Sequence, residues 1–147
     1  MELISTHPVR KSDLGFHGNL FGGNLLKWVD LAAVAYATQC CDTPRMVTVT
    51  MDANFKRPTK EGQLIRVYGE ILDIGNKSIT LKIEARAHDV YDGEQTVVLE
   101  AVTKFVRVNE ENKPIPISDR VKLKFGFKQL EDIVVPKNNK KKEINLN

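Results

Sequence analysis

The sequence predicts an α+β fold: one long helix packed on a single curved antiparallel sheet of about five strands that wraps around it. Three observations carry this. One stretch before residue 119 has the length and periodicity of a helix. Most of the chain between that helix and residue 109 alternates apolar and polar residues with a period of two. The alternating stretches are long and joined by short polar turns, which makes neighbouring strands antiparallel. A lone apolar helix beside one sheet has to bury its face on that sheet.

A short strand at Leu3–Val9 opens the chain. The helix runs from Gly22 to about Cys41, because Leu25, Leu26, Val29, Ala32, Ala33, Tyr36 and Ala37 recur at spacings of three and four. Asn24, Lys27, Thr38 and Gln39 mark its narrow polar side. Thr43-Pro44 ends it, since the residue before proline is pushed out of the helical well. Val47, Val49, Met51, Ala53 and Phe55 then alternate with Thr48, Thr50, Asp52, Asn54 and Lys56. Arg57-Pro-Thr-Lys-Glu-Gly62 reads as a turn into the next strand, Gln63 to Ile74, and Gly75-Asn-Lys as the connector after it. A third long strand runs from Ser78 to about Tyr91, with Ile79, Leu81, Ile83, Ala85 and Ala87 on one face. Asp92-Gly93 is a hairpin signal, and Glu94–Val108 returns with Val97, Leu99, Ala101 and Phe105 on one face. The short connections make these four strands neighbours in sequence order.

A chain of 147 residues with 41% hydrophobic and 28% charged residues suits one globular domain rather than a disordered chain. No apolar run approaches the length of a membrane span. The N-terminal residues lack the basic and apolar regions of a secretion signal. Adjacent Cys40 and Cys41 cannot build a disulfide framework, so the expected compartment is the cytoplasm. The net charge of +3 is unevenly spread. Residues 119–147 hold eight Lys or Arg against four acids, which leaves the preceding 118 near neutral at −1. Residues 1–118 therefore read as the folded domain and 119–147 as a basic, partly disordered extension. Within it, Val121–Leu130 continues as a strand or short helix, and Lys137–Asn147 reads as disordered. Its lysines carry no interleaved aromatics, so no nucleic-acid partner is expected.

The chemistry centres on Asp30, an acid flanked by apolar turns of the helix. Burying an unpaired charge is costly, so the carboxylate is paired, exposed at an edge, or functional. At about 100° per residue it lies beside Leu26 and Ala37, at the border of the buried face. The plain reading is an ion pair with Lys27; the functional one is a general base or a nucleophile. Gly22 and Gly23 open the same helix. They are either a packing lead-in or an oxyanion site built from N–H groups without intrahelical partners. His17 could orient water or serve as an acid, although a loop histidine is more often a hydrogen-bonded loop residue. No His, Cys or acid cluster has metal-ligand spacing. Arg57, Lys77 and Ser78 sit at a strand end and in a connector, where an anionic ligand could be met.

Together these residues resemble a known family. Asp13-Leu-Gly-Phe-His-Gly-Asn-Leu-Phe-Gly-Gly-Asn-Leu-Leu-Lys-Trp-Val-Asp30 is similar to the signature of the hot-dog acyl-CoA thioesterases (acyl-CoA hydrolases), in which a Gly-Gly pair precedes a helical acid by seven residues. Val47-Thr-Val, Phe55-Lys-Arg-Pro58, Gly62, Gly75-Asn-Lys-Ser78 and Phe105-Val-Arg-Val108 continue the resemblance, which covers roughly residues 5–116. It implies a hot-dog thioesterase domain in which water attacks an acyl-CoA thioester to release free fatty acid and CoA. Asp30 would act as general base or nucleophile, Gly22 and Gly23 as the oxyanion site. Arg57, Gly75, Lys77 and Ser78 would bind the nucleotide end, so CoA enters as part of the substrate and no separate cofactor is implied. A homodimer, and a hexamer built from dimers, are the partners the resemblance implies. Many members carry an asparagine at the position of Gly15. Its absence means that His17 or Asn19 takes over, that the amide is dispensable, or that activity is weak. Lys77 stands where threonine is usual. Two other readings are a non-catalytic acyl-CoA-binding regulator and a hot-dog dehydratase or hydratase.

Overall fold

The computed structural model describes residues 1–126. Strand β1 (Glu2–Pro8) leads through a 3-10 turn at Lys11–Asp13 to helix α1 (Gly22–Cys41). Strands β2 (Met46–Phe55), β3 (Leu64–Ile74), β4 (Ser78–His88) and β5 (Gln95–Arg107) come next, and helix α2 (Asp119–Lys124) ends the described chain. The five strands form one antiparallel sheet in the order β1-β3-β4-β5-β2. The predicted long helix and its sheet are both present, and α1 has both of its expected ends.

The strand order corrects one expectation. The segment 57–62 does not turn β2 into a neighbouring β3. β2 pairs with β5, so the chain crosses the end of the sheet over three strand spacings, about 14 Å, to reach β3. This crossover is firmly held. Thr59 is 1% exposed, and its carbonyl accepts the Leu20 N–H at 2.7 Å. The Gly62 N–H reaches the Val9 carbonyl, and the Val9 N–H the Gln63 carbonyl. A polar, proline-containing stretch looks like a tight turn in sequence; its long-range hydrogen bonds are not visible there.

Two faces also shift. A bulge between Thr48 and Thr50 inserts a residue into β2. An inserted residue reverses the alternation, so Met46, Met51 and Ala53 pack on the core while Val47 and Val49 remain 47% and 54% exposed. A register shift opposite Ala85 and Arg86 likewise buries Val98 beside Leu99, leaving Val97 half-buried. β4 stops at His88 rather than near Tyr91, because the Asp89 carboxylate accepts the Tyr91 N–H at 2.8 Å and starts the loop early.

Helix α1 lays Leu25, Val29, Ala33 and Ala37 on one face of the sheet, against a layer that includes Ile65, Val67, Ile79, Leu81, Ile83 and Phe105. Each large side chain so buried contributes about 1.5–3 kcal/mol. Asp42, at φ 54°, ends α1 in the left-handed conformation. Gly69 of β3 is what lets the layers close. A Cβ there would stand 2.6 Å from Ile4 Cδ1, 3.1 Å from Ile83 Cδ1 and 3.5 Å from the Tyr36 ring. The stretch beginning at Val121 forms a helix, capped by the Ser118 hydroxyl, with Val121 in the core. Residues 127–130 of that stretch, and Lys137–Asn147, lie outside the described residues.

Gly69→Ala is expected to destabilise the fold by about 1–3 kcal/mol through overpacking, read as a lower urea midpoint at unchanged slope. A second expectation concerns the buried thiols. Burial pushes Cys40 up to about 11 and Cys41 to about 12, from an ordinary value of 9.0. A raised folded-state pKa stabilises the fold fully below the unfolded value, and the contribution is lost as pH rises through the folded one. Urea stability should therefore fall between about pH 9 and 12, and less steeply in a Cys40→Ala, Cys41→Ala variant. Identical slopes for the two proteins would contradict this.

Candidate active site

The approach to α1 is a small, locked hairpin. Leu14 and Leu20 form an isolated antiparallel bridge, the Gly15 N–H donates to the Asn19 carbonyl at 2.8 Å, and the Gly18 N–H to the Gly15 carbonyl at 3.0 Å. Gly18 sits at φ 82°, which a side chain would strain. Phe16 and His17 occupy the tip, and His17 Nδ1 accepts the Asn19 N–H at 3.1 Å. The Asp13 carbonyl then accepts from the Phe21 N–H and the Asn24 side-chain amide, which fixes where the helix begins.

That beginning has no side-chain cap. Phe21 is the N-cap residue and offers no acceptor, and the first turn contains no acid. Asn24 and Leu25 donate to the Phe21 carbonyl, so the N–H groups of Gly22 and Gly23 have no hydrogen-bond acceptor among the described residues. A 20-residue helix presents partial positive charge at such an end. The Phe21 ring stands over Gly23, 2.6 Å from where its Cβ would be, whereas Gly22 meets only the Phe55 ring, at 3.5 Å.

Gly22 lines a cavity of about 350 Å³ between the helix end and the crossover. Leu20, Leu25, Phe55 and Pro58 supply apolar wall; His17, Asn19, Lys56 and Arg57 supply the polar part. Lys56 also forms a loose, exposed ion pair with Glu100 at 3.8 Å. Arg57 has no ion pair among the described residues. The site therefore offers the free N–H of Gly22, an apolar wall and two cations, Lys56 and Arg57, within one concavity.

Asp30 lies elsewhere on the same helix. Eight residues from Gly22 amount to about 12 Å along the axis. The carboxylate is half-buried and makes neither hydrogen bond nor ion pair among the described residues, so the expected pairing with Lys27 is not formed. Trp28 fixes its direction. The Trp28 ring stacks on His7 of β1, centroids 4.9 Å apart and 3° from parallel. Asp30 is about 200° further round the helix and so faces away from β1. Among the described residues β2 pairs only with β5, and its outer edge is open.

Of the sequence candidates, His17, Asn19, Gly22 and Arg57 meet at one cavity. Gly75, Lys77 and Ser78 do not join them within one chain. Phe55 pairs with Leu99 and Ser78 with Val106, which separates the two sites by about 23 Å along β5. In that connector the Gly75 N–H donates to the Ser78 carbonyl, and the Lys77 carbonyl accepts the Arg107 N–H. Leu20, Phe55, Lys56 and Pro58 enter the sequence reading only as members of a strand, a turn or the stretches that carry the resemblance, with no role in the site. Proximity to Gly22 depends on the crossover. No group of three or more His, Cys, Asp or Glu among the described residues could hold a metal ion. No helix among them is long and apolar enough to cross a membrane.

Comparison with known proteins matches residues 17–94 to the family model of the thioesterase superfamily. The chain is 32% identical over 118 residues to a rat cytosolic acyl coenzyme A thioester hydrolase, covering 78% of this chain and 31% of that protein. It thus spans about a third of the length of this relative. It is also 32% identical over 111 residues, 71% of each chain, to an uncharacterized acyl-CoA thioester hydrolase of Haemophilus influenzae. Among solved structures it resembles a hexameric hotdog fold thioesterase of Campylobacter jejuni, with a TM-score of 0.76 at 32% identity, over 86% of this chain and 98% of that one. A hexameric broad-specificity acyl-coenzyme A thioesterase, solved as an aspartate-to-alanine mutant, superposes with a TM-score of 0.75 at 28% identity, over 80% of this chain and 86% of that one. The one-helix, five-strand architecture and these matches lead to the same conclusion: the chain is a hot-dog protein and belongs to the thioesterase superfamily.

Proposed function

We propose that the chain hydrolyses acyl-CoA thioesters to a free fatty acid and CoA. The observation that carries this is the uncapped start of α1 in a cavity with both an apolar wall and a cation. The relatives named as acyl-CoA thioester hydrolases support it. The thioester carbonyl oxygen would accept from the Gly22 N–H, with Gly23 beside it. Each such donor is worth ~2.7–4 kcal/mol of transition-state stabilisation. Asp30 would act on the carbonyl carbon, as general base to water or as nucleophile. Neither role calls for a metal or a cofactor.

A distance of about 12 Å separates Asp30 from Gly22 on one helix, so the proposed site needs a second copy. Edge strands with exposed apolar residues favour pairing, and β2 offers Val47, Val49 and Phe55. Two β2 edges paired antiparallel would join the sheets and turn each Asp30 flank toward the partner, with the acyl tail in a groove between them. The same reversal would set the second copy's Lys77 end beside Arg57, since β2 begins next to Arg107, which bonds Lys77. Arg57 and that lysine, with Gly75 and Ser78 shaping the connector, would then share the phosphates. Hexameric structural neighbours support further assembly of such dimers. Buried unpaired thiols suit a reducing, cytoplasmic compartment.

Asp30→Asn should lower thiol release from acyl-CoA by about 10²-fold or more while leaving the thermal transition in place; undiminished turnover would remove Asp30 from the mechanism. Label found on Asp30 after single turnover in ¹⁸O-water would identify it as a nucleophile whose anhydride is opened at the aspartyl carbonyl, whereas a base delivers all label to the acid product. Mixing Asp30→Asn with a Gly22→Val chain should restore about a quarter of the parental rate through hybrid dimers with one intact site. No recovery would place the whole site in one chain. Arg57→Ala should raise KM for acyl-CoA several-fold and leave a thioester lacking the nucleotide unaffected. Treatment with EDTA should leave turnover unchanged. Acyl-CoA binding with no thiol release at all would leave a regulator instead of an enzyme.

A further inference from the structure

We infer that position 15 is glycine so that His17 can lie across it, and that the Nε2–H of His17 is a second donor to the carbonyl oxygen held at the start of α1. This rests on the thioesterase reading of the cavity and adds a residue to it. The hairpin at 14–20 folds the imidazole back over Gly15. A Cβ at Gly15 would stand 3.0 Å from His17 Nε2 and 3.3 Å from Cε1, and the Phe21 ring closes the same space at 3.4 Å. The φ of Gly15 is not positive, so backbone conformation does not call for glycine there; the space the ring occupies does.

The hydrogen bond sets the tautomer. Nδ1 accepts the Asn19 N–H at 3.1 Å, so it carries no proton, and in the neutral ring the proton is on Nε2. That N–H has no acceptor among the described residues, and His17 shares the cavity wall with Gly22. In the general-base route, when water attacks the carbonyl carbon, the π electrons move to oxygen. The Gly22 N–H and the His17 Nε2–H both donate to that oxyanion. Collapse re-forms the carbonyl and breaks the C–S bond. The thiolate leaves with the proton that Asp30 took from water, and His17 keeps its own proton throughout. His17 is then a catalytic donor, and Gly15 and the Asn19 N–H position it.

The test uses the full chain with a saturated acyl-CoA. His17→Ala should lower kcat by about 10²-fold with KM nearly unchanged, as expected for a contact made only in the transition state. His17→Gln, which can offer an amide N–H, should recover part of the loss. Gly15→Val should lower kcat to a similar degree by displacing the ring, and should cost nothing further in a His17→Ala background. A merely structural defect would add to it. Long-range ¹⁵N correlation spectra should show the parental His17 protonated on Nε2, and should show that preference lost in Gly15→Val. Undiminished kcat in His17→Ala, additive losses, or an Nδ1–H tautomer would overturn the assignment while leaving Asp30 and Gly22 in place. A parent chain that releases no thiol would instead refute the thioesterase reading, and this assignment with it.

Discussion

Helix α1 can satisfy its apolar stripe only on one face of the sheet, and that packing organises the rest of the molecule. Leu25, Val29, Ala33 and Ala37 are small or medium side chains that allow a close approach. Gly69 removes the last obstacle, since Ile4, Ile83 and Tyr36 all converge on the volume a Cβ would take. Once the helix is seated, its two ends are fixed relative to the strands. The N-terminal end then lies at the crossover between β2 and β3, where the Thr59 carbonyl holds Leu20.

The site is a consequence of how that end is left unfinished. Helix starts in folded proteins commonly carry a Ser, Thr, Asp or Asn cap, worth about 1 kcal/mol. Here the position is Phe21, which gives no side-chain acceptor. The two glycines after it keep the donors accessible, although the Phe21 ring covers Gly23 and leaves Gly22 as the residue on the cavity wall. Foregoing a cap leaves positive potential where an oxyanion would develop. Asp30 is a comparable feature: a half-buried carboxylate with no ion pair among the described residues.

An open β2 edge is a liability for a monomer, since it exposes unpaired backbone groups beside Val47 and Val49. The bulge at Thr48–Thr50 turns those side chains off the core and sets Met51 and Ala53 on it. One irregularity therefore both completes the core and furnishes the edge with apolar surface. In the proposed dimer, packing and assembly would be linked at this strand, and the separation of Asp30 from Gly22 would give the link a chemical meaning.

Period and spacing determined the long helix, the core face of β4 and the border position of Asp30, and Thr43-Pro44 set where the helix ends, at about Cys41. Each is a local property, set by which residues recur every two or every three to four positions. The sequence also singled out His17, Gly22 and Arg57 by residue type and placement, and Asn19 through the resemblance alone. Tertiary structure decided that these four share one cavity, since residues 17–22 and residue 57 meet only through a crossover held by backbone bonds to Leu20 and Val9. It also decided that Lys77 and Ser78 lie at the other end of β5, and that Val47 and Val49 face outward. A bulge and a strand order leave little trace in composition or periodicity. They are settled by hydrogen bonds between residues far apart in the chain, and here those bonds determine which side chains can meet.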